Sequence, residues 1–155
     1  MDKNTTTAPS EAAPVLNSIG GVYFEDNNFE GAIEYFTRSL SLRNGFFSMR
    51  QRAEILCNIG SAYCKMRNYK ESEASKYFNK ALKVSESLDE TSRLSLELKA
   101  TITCNLASVL YKQKYYLRAH ALFSDGKNLA CRAVNICVIA FRSCNNALSC
   151  LKLHR

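Results

Sequence analysis

Between residues 14 and 125 apolar and small residues recur in one spaced order. Two residues separate a small residue from a large apolar one, and five more separate that from an aromatic. Two residues then intervene before an alanine, and three before a phenylalanine. The first copy is Gly20, Tyr23, Phe29, Ala32 and Phe36, continued by Leu40. The third copy, Ala107, Leu110, Tyr116, Ala119 and Phe123, keeps identical gaps. The second is Gly60, Tyr63, Tyr69, then Ala74, Phe78 and Leu82, with two extra residues between Tyr69 and Ala74. Without that insertion Lys76 would fall at the phenylalanine position.

Within each half of a copy the marked residues lie three or four apart, so they share one face of a helix. The five-residue gap holds a turn, Glu25-Asp26-Asn27-Asn28 in the first copy and Lys65-Met66-Arg67-Asn68 in the second. Asparagine tolerates the left-handed backbone that ends a helix. Each copy is therefore expected to be a helical hairpin. Its small residue would let the two helices approach closely, and its aromatics would fill the space between them. One hairpin cannot bury both of its faces, so the three should stack. Arg43-Asn44-Gly45 reads as the turn after the first hairpin. Ser87-Leu88-Asp89-Glu90 has capping-box spacing, which places the first helix of the third copy at about 88–113. No strand pattern is present. The fold class expected is all-α, a short α-solenoid of three stacked hairpins plus a C-terminal helix.

The strings LNSIGGVYFEDNNFEGAIEYFTRSL, LCNIGSAYCKMRNYKESEASKYFNKAL and TCNLASVLYKQKYYLRAHALF resemble the tetratricopeptide repeat (TPR) family. They fall within residues 16–123. The copies start 40 and then 47 residues apart, longer than the family's usual unit of about 34. None has the aromatic expected early in the first helix or the closing proline.

Composition divides the chain of 155 residues into three parts. Residues 1–13 are polar and expected to be a disordered leader. Residues 14–125 form the repeat body, with repeats at about 14–43, 51–86 and 88–125. Residues 126–155 differ from both. The whole chain carries 21 basic and 14 acidic residues, a net +7. Lys127, Arg132, Arg142, Lys152 and Arg155 supply five of those units with no acid after Asp125, which leaves +2 on residues 1–125. Four of the seven cysteines, Cys131, Cys137, Cys144 and Cys150, also lie there. On a helix, residues 128–152 show a polar stripe and a broad apolar face. This basic, Cys-rich amphipathic helix is expected to cover the end of the stack. A partner surface and an anionic membrane surface are the alternatives. No apolar leader or spanning segment is recognisable, so a cytoplasmic or nuclear location with reduced thiols is expected.

Enzyme signatures are lacking. The two histidines, His120 and His154, have no catalytic company, and no Gly-rich phosphate loop or zinc spacing occurs. No catalytic, cofactor-binding or metal-binding residues are expected, and the cysteines read as ordinary thiols. The family resemblance implies a different kind of site, a concave groove lined by the first helices that holds a peptide or a partner helix. Carried over by spacing, its residues are Asn17, Gly21, Phe24 and Glu25, then Cys57, Ser61, Cys64 and Lys65, then Cys104, Ser108, Tyr111 and Lys112. Phe24 and Tyr111 would be its aromatic anchors. The chaperone-binding members grip a C-terminal carboxylate with a basic clamp. Here the corresponding places hold Asn17, Gly21, Thr101 and Asn105, so that ligand is not expected. The function implied is a non-catalytic protein-interaction module or scaffold. The alternatives are a basic helical-repeat protein that binds nucleic acid and a module tethered to a membrane by its C-terminal helix. Nucleic acid is disfavoured because the excess positive charge lies outside the repeats.

Overall fold

The computed structural model describes residues 9–42, 47–66, 68 and 70–134, with side chains described from residue 12 onward. Six helices follow one another: α1 (Pro9–Glu25), α2 (Phe29–Ser41), α3 (Met49–Lys65), α4 (Glu71–Ser85), α5 (Arg93–Lys112) and α6 (Tyr116–Val134). They pair as the hairpins α1/α2, α3/α4 and α5/α6. The hairpins stack through α2 on α3 and α4 on α5, and α3 also meets α5 directly. The first helices therefore form an inner layer and the second helices an outer one.

The spaced pattern is the packing pattern. A Cβ on Gly20 would lie 2.6 Å from the Phe36 ring, and one on Gly60 would lie 2.8 Å from the Phe78 ring. The contact of Gly60 with Phe78 bears out the two-residue insertion. Ala32, Ala74 and Ala119 are buried on the second helices. Phe36 and Ala32 join Ile55 and Ile59 in one core, while Phe78 and Ala74 join Ile102 and Leu106 in the next. Each buried phenylalanine contributes on the order of 2–3 kcal/mol of transfer free energy.

Two further small positions repeat. Ala13, Ala53 and Ala100 lie seven residues before the small residue, and all are buried. Opposite them on the second helices stand Ser39, Ala81 and Gly126, also buried. The Ser39 hydroxyl donates to the Ala13 carbonyl at 2.8 Å. A Cβ on Gly126 would meet the Cys104 sulfur at 2.6 Å and the Ala100 carbonyl at 3.5 Å. Close approach at these ends is what holds each hairpin shut.

The turns have a shared chemistry. At the end of α1 the Asn28 N–H donates to the Tyr23 carbonyl and the Asn27 N–H to the Phe24 carbonyl, with Asn27 at φ 59°. At the end of α5 Tyr115 and Lys114 repeat those bonds to Leu110 and Tyr111, with Lys114 at φ 65°. Both are Schellman endings with a left-handed residue. Asn28 then caps α2 by accepting from the Gly31 N–H at 3.0 Å.

Several expected boundaries move. Residues 9–13 belong to α1 rather than to the leader, because Ala13 packs into the first hairpin. The first helix of the third hairpin begins at Arg93, not near 88. Ser87 spends its hydroxyl on the Val84 carbonyl behind it, and Asp89 accepts from the Thr91 N–H and hydroxyl in a tight turn. Glu90 reaches Lys99 and Arg132 instead of the backbone. A capping box forms instead between Ser48 and Gln51 at the start of α3. The compositional change after Asp125 falls inside α6, because Gly126 fills a repeat position. Of the expected C-terminal helix, residues 126–134 are the end of α6, and residues 135–155 lie outside the described residues, as do residues 1–8 and Arg43-Asn44-Gly45.

Candidate functional site

The site expected from spacing lies on α1, α3 and α5, the inner layer. Asn17, Gly21 and Phe24 are half-buried on α1, with Glu25 exposed at its end. On α3, Ser61 and Cys64 are half-buried, Lys65 is exposed and Cys57 is buried. On α5, Cys104 and Tyr111 are half-buried, while Ser108 and Lys112 are exposed.

These residues play different parts. Cys57 lies at the junction of two repeats, where the Asn105 side-chain amide donates to its sulfur at 3.6 Å. Burial pushes its thiol up to about 11, although bonds from Asn105 and Ser61 pull the other way. A buried thiol of this kind is a packing group and not a nucleophile. Cys104 turns toward α6, with its sulfur against Gly126. Asn17 keeps a buried side-chain oxygen without a hydrogen-bond partner. Gly21 has open space where a Cβ would stand.

The two aromatic anchors occupy matching places. Phe24 meets Phe29 edge to face at 5.5 Å, and Tyr111 meets Tyr116 the same way at 5.3 Å. Each pair joins the end of a first helix to the start of the second. A second set of pairs was not anticipated, Tyr23 stacked on Tyr35 at 5.1 Å and Tyr63 on Tyr77 at 5.6 Å. Tyr35 and Tyr77 stand one residue before the repeated phenylalanines, and that shared offset is their signal in the sequence. Asn58 and Asn105 each stand two residues before a small residue; Asn105 ties α5 to α3, whereas Asn58 is exposed.

Charge is sparse on this surface. Glu25, Lys65 and Lys112 sit at equivalent positions along one edge, at the ends of the three first helices. A three-residue ionic cluster lies away from it. The Lys99 ammonium, nearly buried, is 3.5 Å from one oxygen of Glu90, and Arg132 is 3.4 Å from the other. Arg132 and then Lys99 hold the Glu90 carboxyl below its ordinary range. This cluster pins the long α4–α5 connection to the third hairpin. Among the described residues no group of His, Cys, Asp and Glu could hold a metal ion. His120 is exposed.

With this geometry in view, comparison with known proteins is direct. The tetratricopeptide repeat family model matches residues 13–46 and 53–88, the first two hairpins. The match supports assigning these two hairpins to the tetratricopeptide repeat family. The third hairpin shares the turn geometry of the first. Its structure is similar to the Arabidopsis OM64 TPR domain, with a TM-score of 0.57 and 15% identity, covering 90% of this chain and 99% of that one. At that identity the likeness is one of fold. No curated protein matches the sequence. Repeats of this family generally mediate protein–protein interaction. No helix among the described residues is long and apolar enough to cross a membrane.

Proposed function

We propose that this chain is a non-catalytic interaction module that binds an extended peptide or a partner helix along the inner layer of α1, α3 and α5. The observation that carries this reading is the division of labour on those helices. On α3 and α5 the other faces are spent on the hairpin and stacking cores, and on α1 on the hairpin core, while Gly21, Phe24, Ser61, Ser108 and Tyr111 remain accessible along one side. A surface with two aromatic rings, small polar groups and few charges favours docking by shape, backbone hydrogen bonds and apolar anchors. It carries no basic cluster to hold a carboxylate or a phosphate backbone. The absence of a reactive thiol at Cys57 is compatible with a binding role and gives no support to covalent chemistry.

The test is quantitative affinity capture with wild type, with Phe24→Ala combined with Tyr111→Ala, and with Ser108→Arg. Circular dichroism confirms folding of each. Leu117→Ala, on the exposed start of α6, is the control. Partners that are lost with both groove variants and kept with the control support the reading. A partner set unchanged by the groove variants refutes it.

A further inference from the structure

The turn between α5 and α6 departs from the chemistry of its own repeat. Residues 114–118 are exposed without interruption, with Tyr115, Tyr116 and Leu117 at 55%, 55% and 89%. By repeat position Lys114, Leu117 and Arg118 correspond to Asn27, Glu30 and Gly31 of the first hairpin. Each of the three works against local stability. Lys114 holds φ 65°, a conformation that glycine or asparagine adopts at less cost. Leu117 leaves a large aliphatic side chain in water. Arg118 puts a cation in the first turn of α6, at the positive end of the helix dipole. The first turns of α2 and α4 carry acids, Glu30 and then Glu71 and Glu73, and that of α6 carries none. Three departures from local preference in one turn point to binding rather than to folding.

Charge narrows what is bound. The first and third turns stand at opposite ends of one edge of the stack, with opposite sign. Residues 25–31 hold Glu25, Asp26 and Glu30 with no base. Residues 112–118 hold Lys112, Lys114 and Arg118 with no acid, and no acid occurs between Glu97 and Asp125. Among the described residues neither Lys114 nor Arg118 makes an ion pair. The occupant must therefore supply negative charge and, behind it, an apolar phase for Leu117. An anionic bilayer supplies both, and tyrosines suit its boundary, with the ring inward and the hydroxyl at the headgroups. A nucleic acid supplies the charge but buries an aliphatic side chain only by unstacking its bases. One long enough to follow the edge would also meet Glu25, Asp26 and Glu30.

We propose that the α5–α6 turn docks this chain on an anionic lipid bilayer, with Lys112, Lys114 and Arg118 at the headgroups and Leu117 inserted beside Tyr115 and Tyr116. The inference does not rest on the groove reading. The test is co-sedimentation of the full chain with vesicles of phosphatidylcholine, alone or mixed with phosphatidylserine. Three bases at about fivefold each should give about 100-fold tighter binding to the anionic vesicles, a preference that shrinks as salt rises. Lys114→Asn combined with Leu117→Glu installs the first hairpin's residues, so the variant should be no less stable than wild type. It changes the turn by two units of charge and should bind anionic vesicles at least about 25-fold more weakly. The chain has no tryptophan, so Leu117→Trp reports from the turn alone. Its emission should shift to the blue on anionic vesicles and stay unchanged on neutral ones. Leu117→Ala should weaken vesicle binding while keeping partners of the groove, so the two readings fail separately. A wild type that ignores anionic vesicles overturns the proposal, and if it binds an RNA homopolymer instead, nucleic acid is the partner. Vesicle binding that survives the double substitution, or that leaves the Trp emission unmoved, places the contact elsewhere on the chain and overturns it equally.

Discussion

Gly20 and Gly21 are neighbours on α1, yet the same substitution should act on them with opposite sign. A Cβ on Gly20 would fall 2.6, 2.8 and 3.1 Å from three atoms of the Phe36 ring. That ring is 2% exposed and seated against the next hairpin, so it cannot swing away. Overpacking of this kind costs about 1–3 kcal/mol. The better helix propensity of alanine returns about 1 kcal/mol. Gly20→Ala should therefore destabilise by about 1 kcal/mol. A Cβ on Gly21 meets nothing within 4 Å, so Gly21→Ala keeps only the propensity gain, about 0.5–1 kcal/mol. The two variants should differ by about 2 kcal/mol, a separation of about 5 °C or more in melting temperature. Urea denaturation followed by circular dichroism measures both. A Gly20→Ala protein as stable as Gly21→Ala would refute the account of how the first hairpin closes. The third hairpin offers an internal comparison. It carries Ala107 at the corresponding place, and its Phe123 is half-exposed, with room to yield.

Three other outcomes follow from the same geometry. Lys114 holds a left-handed conformation that costs a side chain roughly 1 kcal/mol, so Lys114→Gly should raise stability by about 0.5–1 kcal/mol in the same assay; no gain would contradict the turn. In folded protein at pH 8, Cys57, with its thiol pushed up to about 11, should resist iodoacetamide while the exposed Cys131 is labelled, as read by mass spectrometry of digests. Equal labelling of the two would show that Cys57 is not buried. Glu90 has its carboxyl lowered in the folded state, so its contribution is present at neutral pH and is lost as pH falls below about 4.5 through the folded value. Wild type should therefore lose stability on acidification more steeply than Glu90→Gln, and parallel curves would exclude the Lys99–Glu90–Arg132 link.

The hairpins were legible because their cause is local and repeated. A small residue must face a ring at a fixed distance along two connected helices, and Gly20 with Phe36 or Gly60 with Phe78 states that requirement directly. The alanines at 13, 53 and 100 repeat just as faithfully. Alanine is common in helices, however, so their role becomes visible only once Ser39 and Gly126 stand opposite them. The start of α5 departs from the spacing of its sequence for a different reason. Ser87 and Glu90 have the spacing of a cap, but their side chains had better partners in Val84, Lys99 and Arg132. Most of those partners are distant in sequence, and spacing alone could not reveal them. Of the expected groove, spacing placed all twelve residues on the inner helices. It could not foresee that Cys57 would be taken into the junction between repeats or that Cys104 would turn to α6.

The amino-acid sequence by itself determined that this is an all-α repeat protein with helical hairpins and close helix contacts, because periodicity and repeated small residues act within a few turns of chain. It also located five of the seven units of net charge in the last thirty residues, of which Lys127 and Arg132 lie on α6 and Arg142, Lys152 and Arg155 outside the described residues. Tertiary structure decided which equivalent faces are covered. Val22, Ala62 and Val109 read alike along the chain, but among the described residues only those on α3 and α5 are shielded by a preceding hairpin. Burial depends on what is stacked alongside, which a residue's own neighbours in sequence do not specify.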